Sequence, residues 1–291
     1  MTSQRIGMNE ERLRVIHNID EALKRGDTFA KVELFDPVVT GEDVKRVIVP
    51  FDNLRRKPLN KLKAFAARKI GEHLTKKINF NTVIVGLENA LSITGGAIVT
   101  CNHFNMIDNT IIRALAMKCG RARKLDIVVQ ETNIFMDGFF GFLMRNGYTL
   151  PVSSSLQYMS KNLKPALSTL LCRGHFVLIY PEQEMWFNYK KPRPMRDGAY
   201  HYACEFGVPI LPCFVEMREM EGVDQQGFRN LRHTLHVLDP IYPDTSLPPR
   251  EARAKMHDAD MKAKRECYER VYGIPLDDMF IPERDIAGFN A

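Results

Sequence analysis

The residues with the clearest capacity for chemistry form one short segment, Asn102-His103-Phe104-Asn105-Met106-Ile107-Asp108. A histidine held by a carboxylate through one ring nitrogen can take a proton from a hydroxyl group with the other nitrogen. On one continuous helix, His103 and Asp108 would point roughly 140° apart and would not meet. They meet if Asn102 to Asn105 form a turn and Asp108 lies in the first turn of a helix. The alternative is a helix-capping aspartate and a histidine satisfied within a loop.

A second acidic residue follows another apolar run. Gly174 to Tyr180 has the composition of a buried strand and is followed directly by Pro181-Glu182-Gln183. Because polar groups at the carboxyl ends of parallel strands line sites in α/β sheets, Glu182 joins His103 as a candidate site residue. Alone, it would be interpreted as a loop or capping charge.

Four cations come next in the chain, and Pro192 and Pro194 keep their segment out of a helix. They are Lys190, Lys191, Arg193 and Arg196. A basic loop beside a site can hold phosphate, whether of a lipid head group or of coenzyme A. The alternative is an exposed basic loop without a ligand.

The elements that must position these residues alternate between strands and helices. Short apolar runs predict strands at 82–85, 97–101, 125–130, 148–152, 175–180 and 209–215, with a further one at 235–238. Helical spacing predicts helices near 108–118, 156–171, 197–206 and 250–272. This alternation indicates an α/β fold with a mostly parallel, twisted sheet covered by helices. We expect an α/β domain at 81–240 and a helical C-terminal extension at 241–291.

Residues 1–80 are expected to be helical, with one helix at 11–25 and another starting after Thr40, which has a capping pattern with Asp43. The most basic part of the chain runs from Arg55 to Lys77. Within it, apolar residues from Leu59 to Ile78 recur at helical steps among lysines. Such a basic amphipathic helix suits the surface of an anionic membrane, and equally suits packing on the domain with a solvated basic face.

The run Gly138-Phe139-Phe140-Gly141-Phe142-Leu143-Met144 is rich in aromatic residues and lacks charge. It is interpreted as core, with the wall of an acyl-chain channel as the alternative.

Composition sets further limits. The 291 residues carry a formal net charge of +6, a mild bias toward anionic partners. No stretch approaches the roughly 20 apolar residues that cross a bilayer, and Met1 to Glu10 lacks the apolar core of a signal peptide, so a cytoplasmic protein is expected.

The six cysteines show no metal-ligand spacing, and no metal or redox cofactor is expected. Basic residues without interleaved aromatics argue against nucleic-acid binding.

Four blocks together resemble the bacterial glycerolipid acyltransferase superfamily, the group that contains lysophosphatidate acyltransferase. They are Asn102-His103-x-x-x-x-Asp108, Pro181-Glu182-Gln183, Met195 to Tyr200, and Val208-Pro209-Ile210-Leu211-Pro212, in the family's order between Thr82 and Glu216. The resemblance implies a glycerol-3-phosphate acyltransferase-like fold. It also implies transfer of a fatty acyl group from acyl coenzyme A or acyl carrier protein to a lysophospholipid hydroxyl, most strongly that of 1-acylglycerol-3-phosphate. His103 is the implied general base and Asp108 its partner. Because one substrate would be a lipid, we expect the protein to be peripheral on the inner face of the membrane.

This chain departs from the family pattern where two arginines are expected. Gln183-Glu184-Met185 replaces Gly-Thr-Arg, and Ser153-Ser154-Ser155 follows the second block. A phosphate would then depend on Arg145, Lys190, Lys191, Arg193 or Arg196, or the acceptor carries none. The substrate-binding residues implied are Asn102, Ser153, Glu182, Lys191, Arg193 and Arg196. The remaining alternative is a non-catalytic membrane-binding protein with a degenerate site.

Overall fold

A computed structural model of the chain describes residues 8–33, 37–51 and 57–289. Met1 to Gly7 and two arginines of the predicted basic stretch, Arg55 and Arg56, lie outside these residues. Within them, seven strands form one sheet in the order β1-β7-β6-β2-β5-β3-β4. Their bounds are β1 (Val83–Val85), β2 (Ala97–Thr100), β3 (Leu125–Gln130), β4 (Thr149–Val152), β5 (Phe176–Ile179), β6 (Ile210–Val223) and β7 (Arg229–Val237). All neighbouring pairs are parallel except β6 and β7. The predicted mostly parallel α/β class is confirmed.

The helices of the described residues lie at both ends of the chain and between the strands. They are α1 (Glu10–Lys24), α2 (Gly41–Asp43), α3 (Pro58–Ile78), α4 (Leu87–Leu91), α5 (Asn109–Lys118), α6 (Glu131–Ile134), α7 (Gly138–Asn146), α8 (Leu156–Tyr158), α9 (Lys164–Cys172), α10 (Gly198–Phe206), α11 (Pro249–Tyr272) and α12 (Pro282–Asp285). Two π-helical stretches, Val44–Ile48 and Met159–Leu163, continue α2 and join α8 to α9. Thr40 and Asp43 form the predicted capping box.

The central strands are buried on both faces because helices cover both sides of the sheet. Along β2, Ala97 and Val99 pack in one core with α5, whereas Ile98 packs in the other core with α9 and α10. This alternation follows from the two-residue period of a strand. It holds the carboxyl ends of β2 and β5 side by side, with Thr100 paired to Ile179.

The parts of the chain outside the sheet pack onto it. Helix α1 buries Val15, Ile16 and Ile19 against Trp186 and Phe228. At the other end of the chain, Cys267 and Tyr268 of α11 pack against Phe214 of β6. The N-terminal helix therefore reaches the loop that follows β5.

Helix α3 forms where the basic amphipathic helix was predicted, but a different face of it is buried. The buried residues are Ala64, Ala67 and Thr75, and α3 packs against α5 and α7. Leu59, Leu62 and Phe65 are 63%, 66% and 58% exposed. The small side chains of Ala64 and Ala67 allow the helices to approach closely. Leu59, Leu62 and Phe65, near the start of α3, face solvent, whereas Ile70, Leu74 and Ile78 are partly buried.

Two further predictions need correction. The run 138–144 is not core: it forms most of α7, in which Gly141 is the buried residue and Phe139 and Phe140 are exposed. The strand predicted at 235–238 is the end of the longer β7, whose polar first half pairs with a similarly polar extension of β6. Because this hairpin projects beyond the core, its residues lack the apolar pattern used for prediction.

Within the part of the chain that the structure describes, no helix combines the length and apolar character needed to cross a bilayer.

Candidate active site

The loop after β2 brings His103 and Asp108 together. Residues 101–105 have no regular structure, a turn covers 106–108, and α5 begins at Asn109. His103 Nδ1 lies 2.7 Å from Asp108 Oδ2. The bend between strand and helix thus achieves what a continuous helix could not. With Nδ1–H donating to Asp108, the lone pair of Nε2 remains available for a substrate proton.

Asp108 is buried, and four groups donate to its carboxylate. Oδ2 accepts from His103 Nδ1, from the Phe104 N–H at 3.0 Å and from the Asn105 N–H at 3.3 Å. Oδ1 accepts from the Tyr180 hydroxyl at 2.6 Å. These donors compensate the charge of the buried carboxylate and fix its position relative to the histidine.

Tyr180 lines the cavity and contacts both His103 and Asp108, although no sequence pattern pointed to it. Its ring stacks on the His103 imidazole with centroids 4.0 Å apart and an interplanar angle of 16°. Burial, and then the neighbouring Asp108 charge, raise the pKa of Tyr180 well above its ordinary value. The phenol therefore stays a hydrogen-bond donor to Asp108. A tyrosine at the end of an apolar strand is typical of core. Only its position one residue before Pro181 could have indicated that Tyr180 lies beside the site.

Asn102 and Glu182, which were predicted to bind substrate, instead hold the loop after β2 in place. Asn102 is buried and exchanges hydrogen bonds with the Val215 backbone of β6. Glu182 is 2% exposed, accepts from the backbone N–H groups of His103 and Arg193, and pairs with the Arg193 guanidinium at 3.1 Å. Both side chains are used within the protein, where they hold the His103 backbone between β5 and β6.

A cavity of about 570 Å³ opens beside His103. Its apolar lining includes Ile127, Val152 and Ile179 from three strands, and Leu163 and Leu167, which are at most 1% exposed. Since those two leucines lie in the interior, the cavity leads from the imidazole into the apolar core. Phe140 and Met144 of α7 also line it.

Other histidine–carboxylate pairs in the protein have the same spacing. His175 Nδ1 lies 2.7 Å from Asp126 Oδ2, and His236 Nε2 lies 2.7 Å from Glu216 Oε2. His175 directly precedes β5 and Asp126 is the second residue of β3, so that pair is at the opposite end of the sheet from His103. Of these three pairs, His103 alone lines the cavity. His103 is therefore distinguished from the other two histidines by its position in the cavity and not by its hydrogen bond to a carboxylate.

The predicted phosphate-binding cations divide into two groups. Arg196 lines the cavity and is exposed. Lys191 and Arg193 are buried: Lys191 pairs with Asp285 at 3.5 Å and Arg193 with Glu182. Lys190 donates to the Arg284 carbonyl and Arg145 to those of Ile134 and Met136. Ser153 receives a hydrogen bond from the Ser155 N–H and does not line the cavity. The structure thus brings Arg196, but not Ser153, Lys191 or Arg193, together with His103.

Comparison with known proteins bears on this arrangement. Residues 81–216 match the protein family described as Acyltransferase. This part of the chain is an acyltransferase domain. It contains His103, Asp108, Tyr180 and Arg196. The chain is also similar in structure to the 1-acyl-sn-glycerophosphate (LPA) acyltransferase PlsC from Thermotoga maritima, with a TM-score of 0.48 and 15% sequence identity over 88% of this chain and 96% of that one. No curated protein sequence matches the chain.

One departure from the family pattern is visible in the backbone of the acyltransferase domain. Gln183 stands where the pattern has glycine, and its φ of 65° lies in the left-handed region. That conformation suits glycine and is strained for most other residues. Gln183 lines the cavity, so its side chain is held in the site at some cost in conformational energy.

Proposed function

We propose that this protein transfers a fatty acyl group from an acyl thioester to the hydroxyl of a lysophospholipid, with 1-acylglycerol-3-phosphate as the leading acceptor. The observation that carries the proposal is the His103–Asp108 pair, 2.7 Å apart, at the opening of an apolar cavity within an acyltransferase domain. Acyl coenzyme A or acyl carrier protein would be the donor.

In the proposed reaction, His103 Nε2 removes the acceptor's hydroxyl proton as the oxygen attacks the thioester carbonyl carbon. The tetrahedral intermediate collapses, the carbon–sulfur bond breaks, and the imidazolium returns the proton to the leaving thiolate. Asp108 keeps Nδ1 protonated and stabilises the imidazolium between these steps. No covalent acyl-enzyme is needed.

The cavity's apolar lining supports a fatty acyl chain as the group transferred. Each methylene moved from water into such a lining gains about 0.8 kcal/mol. A chain held by Leu163 and Leu167 would place its thioester toward His103, which lines the same cavity.

We further propose that the protein works at an anionic membrane surface. Leu59, Leu62 and Phe65 are exposed on α3 beside Lys61 and Lys63, a pattern that lies well in a lipid interface. Helix α7 packs against α3 and exposes Phe139 and Phe140, and Phe140 also lines the cavity. The exposed apolar surface would therefore let an acyl chain pass between bilayer and cavity.

The experiment that tests the proposal is incubation of purified protein with acyl coenzyme A or acyl carrier protein and a panel of lysolipids and neutral monoacyl lipids, followed by mass spectrometry. His103→Ala should lower acyl transfer by about 10²–10⁴-fold, because a positioned base contributes that much. His175→Ala is the matched control, since it breaks a pair with the same Nδ1–Oδ2 distance away from the cavity, and should leave kcat within about threefold.

Loss of activity in both variants to the same extent, or in neither, would remove the catalytic assignment of His103. If the wild-type protein binds vesicles but acylates nothing in the panel, the non-catalytic membrane-binding alternative replaces the enzyme. If it acylates only neutral acceptors, the chemistry stands and the phosphorylated acceptor does not.

A further inference from the structure

Two arginines form reciprocal contacts between the N-terminal segment and the acyltransferase domain. Arg12 of α1 places its Cζ 4.7 Å from the ring centroid of Phe187, which lies in the domain. Arg196 of the domain places its Cζ 3.7 Å from the ring centroid of Phe29, which lies in the N-terminal segment. An aromatic face holds a guanidinium group by its plane and leaves the N–H donors at its edge for an anion.

Both arginines line the cavity together with His103. Arg12 pairs with Glu33, and both contacts with the carboxylate oxygens come from Nη1, at 3.1 and 3.0 Å. Its Nε and Nη2 groups are not used in that pair. The Arg196 guanidinium has no carboxylate within ion-pair distance among the described residues. The lining thus offers edge donors from two guanidinium groups.

The other basic residues near the loop form ion pairs or hydrogen bonds within the protein. Lys191 and Arg193 are buried in internal ion pairs, and Lys190 and Arg145 donate to backbone carbonyls. The chain also lacks the two arginines of the family pattern. If the acceptor carries a phosphate, the guanidinium groups that line the cavity within the described part of the chain are those of Arg12 and Arg196.

We propose that Arg12 and Arg196 together bind the phosphate of the acceptor, so that residues 8–33 complete the head-group site of the acyltransferase domain. The inference rests on the proposed function, and names the residues and the ligand chemistry of the same site. A phosphate monoester carries two negative charges and three acceptor oxygens, which two guanidinium edges can contact at once. Glu33 holds Arg12 at the cavity when no acceptor is bound. Arg12 lies outside the matched residues 81–216, so the family pattern itself does not contain it.

The test compares Arg12→Gln, Arg196→Gln and the double variant with Arg14→Gln, an exposed arginine of the same helix that does not line the cavity. Acyl transfer is measured with one acyl coenzyme A donor and with either 1-oleoyl lysophosphatidate or 1-oleoylglycerol as acceptor. Each single variant should raise KM for lysophosphatidate by about tenfold to a hundredfold, the range for a lost hydrogen bond to a charged group. KM for the donor, and kcat/KM for 1-oleoylglycerol, should stay within about twofold.

A binding measurement separates this inference from the proposed function. Calorimetric titration of lysophosphatidate into His103→Ala protein, with and without Arg12→Gln, should show a similar tenfold to hundredfold weakening. If Arg12→Gln and Arg14→Gln behave alike in KM and in calorimetry, the inference is overturned while acyl transfer stands. If no acceptor is acylated by the wild-type protein, the proposed function fails, and the calorimetric comparison still decides the role of Arg12.

Discussion

At the scale of single residues, the site consists of three side chains in contact, those of Tyr180, His103 and Asp108, and not of a histidine–aspartate pair alone. Tyr180 stacks on His103 and donates to the Asp108 oxygen that the imidazole does not use. Two contacts of different kinds thus keep the imidazole and the carboxylate in one relative orientation. Tyr180 is a positioning residue in this interpretation, because its hydroxyl acts on Asp108 and not on the substrate.

Changing Tyr180 to Phe removes the hydrogen bond to Asp108 and keeps the ring that stacks on His103. We expect kcat to fall about tenfold, the worth of one hydrogen bond of roughly 1–1.5 kcal/mol, while KM for both substrates stays unchanged. Tyr180→Ala should lower kcat further because the stacking is also lost. Steady-state kinetics on the three proteins measures this, with thermal unfolding to show that each variant is folded.

The opposite pattern would contradict the positioning role. If Tyr180→Phe raised KM with kcat unchanged, the hydroxyl would contact the acceptor. If neither parameter changed, the hydrogen bond to Asp108 would have no part in the reaction.

The residue types and the strand–turn–helix pattern allowed His103 and Asp108 to meet but left a capping aspartate and a loop histidine as the alternative, and the family resemblance favoured the pairing. The sequence predicted Glu182 near His103, since adjacent parallel strands end at one edge. It could not predict how Glu182 is used. The sequence does not show whether a glutamate faces a cavity or holds a backbone segment in place. For Glu182, the position of Arg193 in the folded protein decides between the two.

At the scale of elements, helix α3 shows where apolar periodicity misleads. The spacing from Leu59 to Ile78 correctly indicated a helix, but the buried stripe contains Ala64, Ala67 and Thr75. Periodicity identifies an apolar face without stating whether protein or lipid covers it. The same holds for α7, where aromatic density suggested core and the helix instead exposes Phe139 and Phe140.

This element gives a direct prediction for membrane contact. Leu59→Ser, Leu62→Ser and Phe65→Ser combined should weaken binding to vesicles of phosphatidylglycerol and phosphatidylcholine by at least tenfold, because apolar area buried in the interface drives it. Changing Lys61, Lys63, Lys69 and Lys76 to Gln should weaken binding only to the anionic vesicles, by about 1 kcal/mol per residue that reaches the surface.

Vesicle sedimentation measures both effects, and Met279→Ser serves as the control. Met279 is 84% exposed and lies in the C-terminal part of the chain. If the triple variant on α3 sediments as well as wild-type protein, α3 does not contact the membrane. If Met279→Ser weakens binding as much, exposed apolar area in general would account for the effect.

At the scale of the whole molecule, the site is assembled from segments far apart in the chain. The sheet places His103 beside Tyr180, and residues 8–33 add Arg12 and Glu33 to the same cavity. The parallel sheet was predictable because each strand and helix carries its own local pattern. The position of α1 on the loop after β5 was not predictable, because the apolar stripe of α1 would fit any apolar surface of the protein equally well.

Helix α11 is joined to the central strand β2 by a buried polar cluster. Lys264 of α11 pairs with Asp260 at 2.7 Å, with the two side chains 1% and 0% exposed. Asp260 accepts from the hydroxyls of Thr100, in β2, and of Tyr200, in α10. Thr100 lies three residues before His103. This cluster therefore ties α11 to the strand that directly precedes the site loop.

Because the cluster is buried, removing one charge leaves the other without a partner in a low-dielectric environment. Lys264→Met should lower the free energy of unfolding by about 3–5 kcal/mol, measured by urea titration followed by circular dichroism. Lys262→Met is the matched control two residues away, where the side chain is 75% exposed and faces Glu266 at 3.8 Å, and it should change stability by less than about 0.5 kcal/mol. Replacing Asp260 and Lys264 together by Leu and Met should restore part of the loss, since no charge is then left unpaired. Equal stability of the Lys264→Met and Lys262→Met proteins would mean that α11 is held to β2 by apolar packing alone.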